Sequence, residues 1–120
     1  MTPEEFIEVI VSEAYEGAAS DVRKVTISPP GTEPRQSDIK LSNWYNGLDA
    51  KSKEMVYALI KEGADTAIFG VFAIIDGVRG GGSLPRFRLF ADDRELTVED
   101  DDFLHEIFRS IVDERENRNL

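Results

Sequence analysis

The sequence predicts an α+β fold, mainly helical, with a central apolar helix and a small β-hairpin towards the C-terminal end. Three observations predict it: a well-marked amphipathic segment at the start, a long apolar stripe at helical spacing through the middle, and two short strand-forming runs separated by acidic turn residues. The 120 residues, 41% hydrophobic and 32% charged, suit one core, so residues 1–120 are read as a single domain.

Thr2-Pro3-Glu4-Glu5 reads as a helix start, with Thr2 as N-cap, Pro3 in the first turn and Glu5 placed to close a capping box. Phe6, Ile7, Ile10, Val11, Ala14 and Ala18 then share one broad face, opposite Glu5, Glu8, Ser12 and Glu16. Gly17 and Ala18-Ala19-Ser20 weaken the helix, and the β-branched run from Val22 to Ile27 is expected to be a short extended segment. Residues 28–36 hold Pro29, Pro30 and Pro34, which remove backbone donors and disfavour helix before each proline, so this stretch is a surface loop. Ser37 to Leu48 fits a short helix or turn anchored to the core by Trp44 and Tyr45.

Asp49 can cap a second, long helix, because Val56, Leu59, Ile60, Gly63, Ala67, Gly70, Ile74 and Val78 form a continuous stripe. Ile68 to Ile75 is also rich in strand formers and runs into the turn signal Asp76-Gly77. Helix is preferred because the stripe stays in phase with the residues before it, which makes this segment the buried spine of the fold. Residues 79–84 form a glycine-rich loop, and Phe87-Arg88-Leu89-Phe90 with Glu95-Leu96-Thr97-Val98 makes a hairpin. The acidic run Glu99 to Asp102 opens a last helix whose stripe is Leu104, Ile107, Phe108 and Ile111, and residues 113–120 are a charged, frayed tail.

Composition narrows the chemistry. The chain has no cysteine, which excludes disulfides, thiolate metal sites and cysteine nucleophiles. His105 is its single histidine, so one chain cannot build a histidine cluster, and no serine lies in a Gly-x-Ser-x-Gly elbow. The Gly77 to Ser83 stretch lacks both the Lys-Ser/Thr of a phosphate-binding loop and the flanking elements of a dinucleotide site. Asp92 and Asp93 could meet the acidic run 99–102 around a cation, but acids in a first helical turn have a structural reason of their own, and no metal or cofactor is expected. The N-terminus lacks the basic region of a signal peptide and no apolar run reaches spanning length, so a cytoplasmic protein without membrane contact is expected.

Twenty-four acids against fourteen bases give a net charge of −10, which opposes binding to nucleic acid. Eleven of those acids and only four bases fall in residues 92–118, so a basic partner would meet that end. The candidate binding residues are Asp65, Phe69, Phe72 and Asp76 on one side of the long helix, with Arg79 and Trp44 as further candidates. Eleven residues of helical rise separate Asp65 from Asp76 by about 16 Å, too far for one acid–base pair. The structural alternative is that Asp65 pairs with a lysine and Asp76 ends the helix beside Gly77.

The stretches Asn43 to Leu48, Glu54-Met55-Val56, Asp65 to Gly70 and Ile75 to Val78 resemble small bacterial domains of unknown function, and the resemblance spans about residues 43–78. It implies helix for the central segment and no activity. The function expected is an acidic accessory or regulatory module that docks a protein partner, neutralising a basic one as immunity proteins do. Two alternatives are a ligand-binding domain or enzyme using Asp65 or Asp76 with Arg79 and His105 at the glycine loop, and an obligate homodimer joined through its apolar helix face.

Overall fold

A computed structural model describes residues 1–99 and 101–118. The fold is α+β: five α-helices, α1 (Pro3–Ile10), α2 (Gly17–Ile27), α3 (Gln36–Asn46), α4 (Ala50–Ile75) and α5 (Leu104–Arg115), with a two-stranded antiparallel hairpin of β1 (Phe90–Ala91) and β2 (Arg94–Glu95) among the described residues.

Thr2 caps α1 by accepting from the Glu5 N–H at 3.0 Å. Between α1 and α2 the chain does not break but widens into a π-helical segment, Val11–Glu16. Ile7, Val11, Tyr15 and Ala19 are all buried at four-residue intervals. In a regular α-helix each such step drifts about 40° around the axis; the wider π turn reverses that drift, so one line of side chains stays on the core through all three pieces. The helix continues to Ile27, where extended structure was expected over Val22 to Ile27. Chain continuity with a helix already packed on α3 and α4 overrides the β-branched preference there.

Residues 28–35 form the proline-rich loop, and helix resumes at Gln36. Of the expected aromatic anchors on α3, Tyr45 is buried, whereas Trp44 is 56% exposed and anchors nothing. Asp49 caps α4, accepting from the Ser52 N–H at 2.7 Å.

The 26 residues of α4 form one unbroken helix, about 39 Å long. Its orientation is the main departure from the pattern of the sequence. The inward residues are Ala64, Asp65, Ile68, Phe69, Phe72, Ala73 and Ile75, which join Ile7, Val11, Tyr15, Leu104, Phe108 and Val112 around the core. Leu59, Gly63, Ala67, Ile74 and Val78 of the expected buried stripe are instead exposed. The aromatic rings decide between the two faces. Phe72 meets Phe6 and Phe108 with centroids 6.1 Å away in each case, and a Leu/Gly/Ala stripe offers less area to bury.

The hairpin is shorter than expected, its turn made by Asp92 and Asp93 with Asp92 at φ 51°. The acidic run precedes α5 without opening it, for α5 begins at Leu104 after Phe103. Of the expected tail, Asp113 to Arg115 belong to α5 and Arg118 is tied down by ion pairs; residues 119 and 120, like Asp100, lie outside the description. The radius of gyration is 17.6 Å, against about 14 Å for a compact chain of this length.

Candidate functional site

Asp65 projects from the middle of α4 into the seam with α5 and is 2% exposed. Arg109, one and a half turns into α5, grips it with two hydrogen bonds of 2.7 and 3.0 Å, and Arg118 adds a third from the C-terminal side. Burial alone would push the Asp65 carboxyl up. The hydrogen bonds and charges of the two arginines outweigh it and hold the group below the usual carboxylate range. The partners are therefore arginines where a lysine was expected, and the planar guanidinium of Arg109 also lies over Phe69, 5.0 Å from the ring centre.

The cluster extends. Arg118 pairs with Glu62 as well, and Arg109 lies 3.5 Å from Asp113. Tyr15, from the π-helical segment, donates to Glu116 at 3.1 Å, and Lys61 pairs with the same carboxylate. Burial pushes the Tyr15 hydroxyl well above its ordinary value, while Lys61 holds Glu116 below its own. Among the described residues no buried side-chain nitrogen or oxygen lacks a partner. A network satisfied in this way rigidifies the seam and leaves no open valence for a ligand.

Asp76 closes α4 at its C-terminal end, as expected, and does a second thing that sequence reading missed. Its Oδ2 accepts from the backbone N–H of His105 at 2.8 Å and lies 2.7 Å from that residue's Nδ1. The helix α5 has no side-chain cap of its own, so a carboxylate from α4 caps it across the fold. His105 sits with its ring edge-on to Phe69 at 5.3 Å and stacked on Phe103 at 5.5 Å.

Asp65, Phe69, Phe72 and Asp76 thus share a face of α4, as the spacing implied, but that face is the core seam and not a free docking surface. Arg79 folds back so that its guanidinium covers Gly70, where an added Cβ would lie 2.9 Å from it. Trp44 stands apart on α3. Tyr15, Arg109, Glu116 and Arg118 were not singled out from sequence. Tyr15 falls outside the apolar stripe expected of the first helix, and the two arginines reach Asp65 from 44 and 53 residues away along the chain.

Comparison of the chain with family models, with curated proteins and with solved structures returns no match. The site must therefore be read from its geometry.

Among the described residues, two open surfaces adjoin this seam. A cavity of about 500 Å³ lies at the glycine loop, between the end of α4 and the hairpin, lined by Ile74, Ile75, Leu84, Phe87, Leu96 and Phe103, with Arg79, Arg86, Glu99 and Asp102 at its polar margin. Arg86 is paired with Glu99 across it. The second surface is the outer face of α4. Met55 and Leu59 are 60% and 71% exposed, Val71 is more than half exposed, and Gly63, Thr66 and Ala67 lie open between them. No helix among the described residues is long and apolar enough to cross a membrane, and no group of three His, Asp or Glu could hold a metal ion there.

Proposed function

We propose that this chain is an acidic protein-binding module, an accessory or regulatory protein of bacterial type working in the cytoplasm, and that it docks its partner on the outer face of α4. One observation carries the reading. Met55, Leu59 and Val71 stand open on the outer face of α4, each more than half exposed. The apolar residues of α4 that would profit from cover run the length of its outer face, as expected of a docking surface. The charge of −10 favours a basic partner at the acidic end, whose binding would weaken with salt.

The test is affinity capture with the wild-type chain and Leu59→Lys as baits. A protein held stoichiometrically by the wild type and lost from Leu59→Lys supports the reading; identical captures from both baits contradict it.

The cavity at the glycine loop favours a second reading, a binding site for a small amphipathic ligand with its charged end at Arg79. A thermal-shift screen of small carboxylates and phosphates tests it, because a ligand that binds only the folded state raises the melting point. No shift with any of them rejects it.

A further inference from the structure

We infer that the cavity at the glycine loop takes an apolar monocarboxylate, with its carboxylate on Arg79 and its apolar body under the hairpin. The inference rests on the cavity reading above and names the class of ligand.

The hairpin supplies one wall because it has two unlike faces. Its arms run on beyond β1 and β2, joined by the Leu96 N–H to the Leu89 carbonyl at 2.7 Å and by the Leu89 N–H to Thr97 Oγ1 at 3.1 Å. Alternation along the arms gathers polar side chains on one face, where Arg88 grips Glu95 with bonds of 2.8 and 3.1 Å and Arg86 pairs with Glu99. Phe87, Leu96 and Val98 alternate with them on the other face. That apolar face does not close on α4: a cavity of about 500 Å³ lies between it and Ile74 and Ile75. A volume of this size, walled by aliphatic and aromatic side chains with a few charges at its margin, is that of a small-ligand site.

The charges at the margin select the head group. Each carboxylate there already has a match: Asp76 accepts from the His105 N–H at 2.8 Å, Glu99 pairs with Arg86, and Asp102 stands just before the N-terminus of α5, whose dipole favours an acid. Arg79 is the exception. Its guanidinium is seated on Gly70, where an added Cβ would lie 2.9 Å from Nη1, so the lack of a side chain at that position makes room for it. Gly70 lies about one turn before Ile74, which places the seat beside the cavity wall. Among the described residues no carboxylate pairs with Arg79. A guanidinium fork matches the two oxygens of a carboxylate. A phosphate would bring a second negative charge beside Asp76, Glu99 and Asp102 while Arg86 is already taken, so the charge that fits is a single one.

Isothermal titration of the wild-type chain and Arg79→Gln with butanoate, octanoate, octyl phosphate, octylamine and 1-octanol, each below its micellar concentration, tests this. Arg79 is exposed, and circular dichroism of the variant checks that it is folded. Octanoate is expected to bind the wild type at least about tenfold tighter than the other three octyl compounds, because only it gains the charge-assisted bonds without added repulsion. Each methylene between butanoate and octanoate is expected to tighten binding by up to about fourfold. Arg79→Gln is expected to weaken octanoate about tenfold and leave 1-octanol unchanged, and Arg79→Lys to recover part of the loss. Octyl phosphate bound tighter than octanoate overturns the carboxylate and leaves the cavity reading standing. Octanoate bound no tighter than 1-octanol or octylamine, or bound equally by the wild type and Arg79→Gln, overturns Arg79 as the anchor. Butanoate bound as tightly as octanoate overturns the apolar body. No binding of any probe overturns the inference and the cavity reading together.

Discussion

The two faces of α4 are built from the same helix and solve opposite problems. Its inner face carries two carboxylates and two phenylalanines, and each polar atom there is matched: Asp65 by Arg109 and Arg118, Asp76 by the N-terminus of α5 and His105. Its outer face carries Met55, Leu59 and Val71, each more than half exposed. The buried face carries the two aspartates, and the open face carries exposed apolar side chains beside Glu62. Burying charge is tolerable only with partners in place, and here they come from α5 and the residues after it. A contiguous open apolar stripe marks an interaction surface under the docking reading proposed above.

Substitutions on the inner face should have the largest effects. Phe72→Ala removes a ring between Phe6 and Phe108 and should lower stability by about 4 kcal/mol in a urea titration. Asp65→Ala strands two arginines, and because both are partly solvated the loss should sit near the low end for a broken buried pair, about 3 kcal/mol. Asp76→Ala removes the cap of α5 and should lower stability by about 1–2 kcal/mol, with amide exchange accelerated first at His105. An Asp76→Ala protein as stable as the wild type would break the account of the inner face.

Acid provides a gentler probe of the same face. The carboxyl values of Asp65 and Glu116 are lower in the folded chain than in the unfolded one. Their contribution is thus complete above the unfolded carboxylate value of about 4 and is lost as pH falls through the folded values. Stability measured in urea should fall below about pH 4, and Asp65→Asn should flatten that fall. An unchanged slope would show that Arg109 and Arg118 do not stabilise the charged form.

The outer face should respond in the opposite way. Leu59→Lys touches no core residue, so the unfolding free energy of the separated chain should stay within about 0.5 kcal/mol of wild type while association is lost.

The elements of this fold were legible in the sequence because they are marked locally. Thr2 and Asp49 announce α1 and α4 by their own side chains, the prolines mark the loop after Ile27, and Asp92-Asp93 marks the hairpin turn. The seam was not legible, because its signals are non-local. Arg109 reads as one charge on an amphipathic helix until α4 is laid beside it. The faces of α4 were exchanged because both keep helical phase, and periodicity alone does not say which of two stripes meets the core. Ring size does: Phe69 and Phe72 lie on the side that meets the core. The π-helical segment left a trace in the four-residue repeat of Ile7, Val11, Tyr15 and Ala19, which an α-helical reading of the first segment passes over.

A urea titration of Asp65→Ala beside Leu59→Lys tests most directly the claim that the charge-bearing face of α4 is the buried one. The account predicts that Asp65→Ala loses about 3 kcal/mol while Leu59→Lys stays within about 0.5 kcal/mol of wild type. Equal losses in the two variants, or none in Asp65→Ala, would contradict it.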